Sequence, residues 1–177
     1  SSSAAARTIR LVIPMPRNVK DASAPAVSPD GSFVVFTANL SSGSRQIFMQ
    51  RLNESTPRAV ERTEGAAEPI VSADGKWIAF RRSGKLEKIS IDGGEALPIA
   101  DSSTGLPGIA WLAGKTIIFT TSWLDSLSAV SSDGGAVKKV STLDKARGEI
   151  GHWFPNPLPD GRHVLFTAWM KGAGLND

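Results

Sequence analysis

The sequence predicts an all-β fold in which one four-stranded antiparallel unit repeats along the chain. A short turn followed by an apolar run occurs four times, with turn glycines at Gly31, Gly75, Gly114 and Gly161, spaced by 44, 39 and 47 residues. Such a period is typical of helical repeats or propeller blades. The runs are β-branched and aromatic and have no capped helical spacing, which favours strands. We therefore expect a β-propeller of four-stranded blades, incomplete within one chain at about 3.5 blades.

The second strand of each blade follows the turn and is apolar at nearly every position. These runs are Phe33–Phe36, Trp77–Phe80, Thr116–Phe119 and Val164–Phe166. A strand with apolar side chains on both faces has to be covered on both faces. Sheets that stack face to face around a propeller provide that cover.

The first strand of each blade precedes the turn and is expected to line a central channel. These strands are predicted at Ala24–Val27, Glu68–Val71, Gly108–Trp111 and Trp153–Asn156. The third and fourth strands are more polar, as expected toward the outer rim. Pro98 fits an outer edge strand, which can lose a ladder donor.

The chain is predicted to be one partial propeller domain over residues 1–177. The blades are expected at about 21–62, 63–101 and 102–143, with an incomplete fourth blade at 144–177. Residues 7–16 hold an N-terminal strand without a local partner, so we expect it to pair with another blade.

Composition excludes several classes of protein. Hydrophobic residues make up 41% and charged residues 21%, an ordinary balance for a globular domain. There is no Cys, hence no thiol nucleophile, thiolate metal site or disulfide. The net charge of +3 is too small to indicate nucleic-acid binding. No apolar stretch is long enough for a membrane span. A solvated position at the outer rim is predicted for the basic side chains Arg81, Arg82, Lys85, Lys88 and Lys138–Lys139.

The repeat motif resembles that of TolB-like, WD-repeat-like β-propellers. The resemblance is carried by Ser28–Gly31 before an aromatic-ended strand and by Asp-Gly-Gly at 92–94 and 133–135. With 13–16, 63–66 and 158–166, the chain looks closer still to propellers attached to bacterial receptor-type serine/threonine kinases. The likeness covers about residues 7–169. It implies a six- or seven-bladed ring that binds protein partners or ligands, usually without catalysis, in a periplasmic or other extracytoplasmic compartment.

The chain departs from that family in having too few blades and in lacking the Asp of the third turn, Leu112–Gly114. No kinase segment is present in the sequence. Three and a half blades cannot close a ring, and the first and last blades would each leave an apolar face bare. We therefore expect two copies to form one ring of about seven blades, with residues 8–13 of one chain completing the last blade of the other. A fragment of a longer chain is the alternative.

The turn residues have a structural explanation. Asp before Gly accepts backbone N–H bonds in hairpin turns, and Gly accepts a positive φ. The positions assigned to such turns are Asp30, Gly31, Asp74, Gly75, Asp160 and Gly161. No spacing encodes a metal site, and no cofactor is expected, although a cation bound in the channel is compatible with the sequence.

Three residues are candidates for ligand or partner contact at the channel mouth, namely Trp111, Trp153 and His152. The tryptophans would offer large contact area at low entropy cost. The expected function is a non-catalytic binding or scaffold module, such as a sensor or protein-interaction region with a protein or peptide ligand. The alternative is a hydrolase or lyase that uses His152, which is the weak catalytic candidate; the sequence has no Gly-x-Ser-x-Gly nucleophile motif.

Overall fold

The fold class is confirmed by a computed structural model, which describes residues 10, 12–102 and 108–172. Three four-stranded antiparallel sheets and one two-stranded sheet follow one another along the chain. Within each four-stranded sheet the strands are ordered as in the sequence, as in a propeller blade. In the described part of the chain, no helix has the length and hydrophobicity needed to cross a bilayer.

The strands are short and evenly distributed. Blade 1 contains β1 Val19–Val27, β2 Phe33–Leu40, β3 Arg45–Arg51 and β4 Arg58–Ala59. Blade 2 contains β5 Ala67–Val71, β6 Trp77–Arg82, β7 Lys85–Ser90 and β8 Leu97–Asp101. Blade 3 contains β9 Ile109–Trp111, β10 Thr116–Thr120, β11 Leu127–Ser131 and β12 Lys138–Lys139. A 3₁₀ turn, Lys145–Arg147, leads into the two-stranded blade 4, with β13 Glu149–Pro157 and β14 Val164–Met170.

The core lies between blades, because each second strand sends alternate side chains to its two neighbours. In blade 2, Ile78 and Phe80 pack with Phe33 and Val35 of blade 1. Ala79, which lies between them in the sequence, packs instead in the cluster shared with blade 3. This two-sided burial explains why the second strands are apolar without alternation.

A phenylalanine lies five residues after each turn glycine, and in three of the four blades it lies opposite a bulge in the neighbouring inner strand. Two inner-strand residues oppose one phenylalanine in blades 1, 2 and 4, and the second of the two is proline. The pairs are Ala24–Pro25 opposite Phe36, Glu68–Pro69 opposite Phe80 and Phe154–Pro155 opposite Phe166. Proline is tolerated there because a bulge interrupts the hydrogen-bond ladder.

The first residue of each bulge has a left-handed backbone. The φ angles are 51° at Ala24, 55° at Glu68 and 52° at Phe154, and Gly108 occupies the same position in blade 3 with φ 98°. The bulge explains why β1 and β13 are longer than predicted, because pairing resumes on its N-terminal side.

The two ends of the array differ. On the free side of blade 1, Phe36 and Phe48 are 2% and 5% exposed, and Ile13 packs against them. The expectation of a bare face is therefore wrong for blade 1, because the N-terminal segment lies on it. Of the predicted strand at 7–16, residues 7–9 and 11 lie outside the described residues, and 10 and 12–16 form no strand. Its pairing with another blade stays a prediction.

The free side of blade 4 is more open. Leu165 is 66% exposed there, and Thr167 of the same strand is also exposed. β14 pairs with β13, and in the described chain no third strand follows as in the other blades. The incompleteness expected from the sequence therefore concerns the last blade.

Position 108 should require glycine for two reasons, its left-handed backbone and the close packing around it. A Cβ at Gly108 would lie 3.0 Å from Phe154 Cα and 3.0 Å from Pro155 Cδ, whereas one at Gly114, also left-handed, would meet nothing within 4 Å. We expect Gly114→Ala to lower the free energy of unfolding by about 1 kcal/mol through backbone strain. Gly108→Ala should lower it by about 3 kcal/mol because overpacking is added. Urea unfolding followed by circular dichroism measures both, and equal losses would contradict the packing argument.

A candidate binding groove and the buried polar network beside it

The inner strands of all four blades border one groove of about 660 Å³. Its walls contain the three bulges and Gly108 of blade 3, and they are mostly apolar, with proline in three of the inner strands. Of the described residues in the lining, only Glu68 is ionisable, and Arg81 Nε donates to its Oε2 at 3.2 Å. The groove is therefore suited to uncharged, apolar ligand groups, and its volume is typical of a ligand site.

Phe154 is an exposed aromatic side chain in this groove, and it is not among the contact residues predicted from the sequence. It is 51% exposed and has a left-handed backbone, a conformation that is uncommon for a bulky residue. The signal that could have identified it is the X-Pro pair four residues before the turn. That pair occurs at Ala24–Pro25 and Glu68–Pro69 with a smaller or charged first residue.

The two tryptophans predicted to contact ligand lie in different surroundings. Trp111 lines the groove but is 7% exposed, and its indole N–H donates to Gly114 O at 3.1 Å. Trp153 is 6% exposed and outside the groove lining. Its ring stacks on Trp169 with centroids 4.4 Å apart, and its N–H donates to Trp123 O at 2.7 Å.

His152 also lies outside the groove lining, in a buried hydrogen-bonded chain between blades 3 and 4. It is 2% exposed, with Nδ1 2.6 Å from Ser141 Oγ and Nε2 3.1 Å from Glu149 Oε2. Asp144 N–H also donates to Glu149 Oε2, and this bond, followed by that of His152, lowers the pKa of Glu149. An ionised carboxylate accepts only, so Nε2 carries a proton, and in the neutral ring Nδ1 accepts from the Ser141 hydroxyl.

This order of groups, serine, histidine and acid, is that of a hydrolase triad. Ser141 Oγ, however, already accepts the backbone N–H of Leu127 at 2.8 Å, and the His152 ring packs on Phe166 with centroids 4.5 Å apart. Thr63 bonds in the same way to the N–H of Ile47, at the corresponding position of blade 1. In both blades the hydroxyl accepts a backbone N–H near the start of the third strand, β3 or β11. His152 adds a connection to blade 4.

Two basic side chains predicted for the solvated rim are buried instead. Arg81 is 4% exposed and donates to Glu68 and Ser102 in the blade 2 region, and to the carbonyl oxygens of Gly108 and Thr120 at the start and middle of blade 3. Burial lowers its pKa, and Glu68 opposes that effect. The rim prediction is wrong here because a guanidinium can satisfy several buried acceptors at once.

Lys88 is the second correction, at 8% exposure. Its ammonium lies 3.0 Å from Asp133 Oδ1 of blade 3 and 4.7 Å from the centroid of the Trp77 ring. Asp133 also pairs with Lys115 at 2.5 Å, so its carboxylate joins two blades. Its backbone N–H donates to Ser131 Oγ.

The other turn aspartates accept hydrogen bonds inside their own turns. Asp30 accepts from Ser28 and from the backbone and side chain of Ser32, with the Ser32 N–H contributing most to a pKa lowered to about 2. Asp74 accepts from Ser72 Oγ and Lys76 N–H, which lower its pKa. Among the described residues, no three His, Asp or Glu side chains converge on a common point for a metal ion.

Comparison with solved structures shows the same architecture in other proteins. TolB from Acinetobacter baumannii is 25% identical with a TM-score of 0.55, over 68% of this chain and 32% of that one. A TolB-like protein from Agrobacterium tumefaciens is 20% identical with a TM-score of 0.60, over 72% and 51%. A puromycin hydrolase mutant in complex with PGG is 17% identical with a TM-score of 0.59, over 78% and 24%.

The chain thus spans about a third of the first TolB-type structure and about half of the second. At these identities the likeness establishes a TolB-like propeller fold. No protein-family model matches the sequence. No curated protein matches it either.

The Asp160 carboxyl in the fourth turn should titrate at unusually low pH. The His163 ring lies 2.6 Å from Asp160 Oδ2, and this contact, followed by the N–H groups of Arg162 and His163, lowers the pKa of Asp160 from 3.8 to about 2. Because the folded pKa is depressed, the turn is stabilised above pH 4, and this contribution is lost as pH falls through about 2. Carboxyl carbon NMR should give a midpoint near 2 for Asp160, rising in His163→Ala while Asp30 is unchanged. A midpoint near 4 in the unmodified chain would contradict the turn geometry.

Proposed function

We propose that the chain is a non-catalytic binding and scaffold module, and that two copies form one ring of about seven blades. The observation that carries this proposal is the edge of β14. In the described chain that strand pairs on one side only, whereas β2, β6 and β10 pair on both sides. An unpaired strand edge offers a row of backbone donors and acceptors to another chain.

The composition of β14 supports its use as an interface. Its seven residues, Val164–Met170, include no charge and no proline, the two devices by which proteins commonly protect an exposed edge. Leu165 on its free side is 66% exposed, whereas Val35 at the corresponding position of blade 1 is 0% exposed under blade 2. Adding a strand and a neighbouring blade would give Leu165 the burial that Val35 has.

The second copy is the occupant that fits this end best. Its first blade carries the apolar cluster of Phe36, Ala38 and Phe48, the face that a preceding blade covers in a ring. Each chain supplies about half a circle, so a two-fold rotation brings blade 4 of each copy against blade 1 of the other and closes the array. Ile13 lies on the blade 1 face in the single chain, so closure requires the N-terminal segment to leave that face, in keeping with its predicted pairing with the partner's last blade.

The ligand surface of this module is the groove on the inner strands. Its apolar walls, the half-exposed Phe154 and the pairing of Glu68 with Arg81 favour an uncharged segment of a protein or peptide. Two copies would place two such grooves around one channel. A sensor role beside a receptor-type kinase, outside the cytoplasm, is the part of this proposal that comes from the family resemblance.

Solution mass tests the pairing. Light scattering should give twice the chain mass of 18.7 kDa. Leu165→Asp should weaken association at least about tenfold, because it places a charge in an apolar interface. Leu97→Asp is the matched control, since Leu97 is 43% exposed on the outer strand of blade 2. A monomer at all concentrations, or equal weakening by both variants, would overturn the two-copy ring.

A hydrolase is the second candidate, favoured by the Ser141–His152–Glu149 chain. Under our proposal these groups join blades, so a broad ester and lactone screen should give no turnover. Ser141→Ala should lower thermal stability, because the Leu127 N–H loses its acceptor. Turnover in the unmodified protein that disappears in both Ser141→Ala and His152→Ala would establish catalysis and reject the binding module.

A further inference from the structure

A second cavity, of about 330 Å³, lies away from the groove and between blades 3 and 4. Three of its lining residues are apolar: Leu124 from the β10–β11 loop of blade 3, Leu143 before the 3₁₀ turn and Ile150 from β13. Leu124 is 69% exposed, although a side chain of this kind is normally covered. Neither the propeller core nor the proposed two-copy contact uses these side chains.

Two lysines, Lys145 and Lys171, flank the cavity, and the backbone of each is hydrogen-bonded to Gly148. Gly148 N–H donates to Lys145 O at 3.1 Å, and Gly148 O accepts from Lys171 N–H at 2.8 Å. Gly148 has φ 84°, the left-handed conformation that ends the 3₁₀ turn. One backbone unit therefore fixes the two lysines on either side of the same cavity, and both are exposed.

The charges at this site favour an anion. Neither Lys145 nor Lys171 makes an ion pair with any residue in the described ranges. Among the lining residues that the structure describes, Glu149 alone is acidic, and its Oε2 accepts from Asp144 N–H and lies 3.1 Å from His152 Nε2. Two ammonium groups without an ion-pair partner in the part of the chain that the structure describes thus face a cavity whose carboxylate is already hydrogen-bonded at Oε2.

We propose that this cavity binds a single-chain amphiphilic carboxylate, such as a medium-chain fatty acid. The carboxylate would lie between Lys145 and Lys171, and the hydrocarbon chain would cover Leu124, Leu143 and Ile150. Pairing with a carboxylate compensates ammonium charges that have no ion-pair partner among the described residues, and the alkyl chain removes apolar surface from water. The site goes beyond the proposed function and does not depend on ring closure.

Decanoate, below its micelle concentration, is the probe. Isothermal titration should show saturable binding to the full chain, and methyl NMR should place the largest shifts at Leu124, Leu143 and Ile150. Lys145→Gln with Lys171→Gln should weaken binding at least about tenfold, equal to about 1.4 kcal/mol. Lys20→Gln with Lys76→Gln is the control pair, exposed and remote from the cavity, and should bind as the unmodified chain does.

Decyltrimethylammonium, with the same chain length and opposite charge, separates charge recognition from general adsorption of surfactant. It should bind at least about tenfold more weakly than decanoate. Equal binding of the two probes, no loss in the Lys145/Lys171 variant when its melting temperature is unchanged, or no decanoate binding would each overturn the proposal. If the double variant unfolds, Leu124→Ser should weaken decanoate binding at an exposed position where folding is not at stake.

Discussion

Two-sided burial of the second strand is the constraint on which the rest of this structure depends. Ile78 and Phe80 serve the interface with blade 1, while Ala79 serves the interface with blade 3. A blade built around such a strand has no side that it can leave in water without cost. The stability of each blade is therefore tied to its neighbours, as in other repeat proteins, and the ends of the array need separate solutions.

The same constraint shapes the inner strands. In blades 1, 2 and 4 a two-residue bulge lies opposite the phenylalanine that comes five residues after the turn glycine, and its first member adopts a left-handed backbone at Ala24, Glu68 and Phe154. Strain of this kind costs about 1–2 kcal/mol per residue and persists only where surrounding packing imposes it. In blades 1 and 2 the imposing elements are a buried phenylalanine, Phe36 or Phe80, and the proline that follows the left-handed residue. In blade 4 the phenylalanine, Phe166, is 36% exposed, and Pro155 follows Phe154. The groove wall is thus a product of blade packing.

The parts of the structure that were predictable are those encoded by local periodicity. The turns at Asp30–Gly31 and Asp74–Gly75 and the apolar runs after them specify the blades, because a hairpin signal and two-sided hydrophobicity are both properties of adjacent residues. Local patterns gave the wrong prediction for Arg81 and Lys88, because basic side chains in a hairpin are ordinarily solvated. Their partners, Thr120 and Asp133, are 39 and 45 residues away. Side-chain contacts between blades leave no local pattern in a sequence.

The candidate site was predictable only in part for the same reason. Trp111 was placed on the right strand, but its indole is bonded to Gly114, whereas the exposed aromatic group, Phe154, owes its position to a bulge in the next blade. His152 was expected near the channel and lies instead between blades, in contact with Ser141 and Glu149. A reactive constellation needs both a polarised group and an accessible surface next to it. In this chain the accessible groove is apolar and the hydrogen-bonded histidine is buried away from it, and that separation is the reason for proposing a binding module.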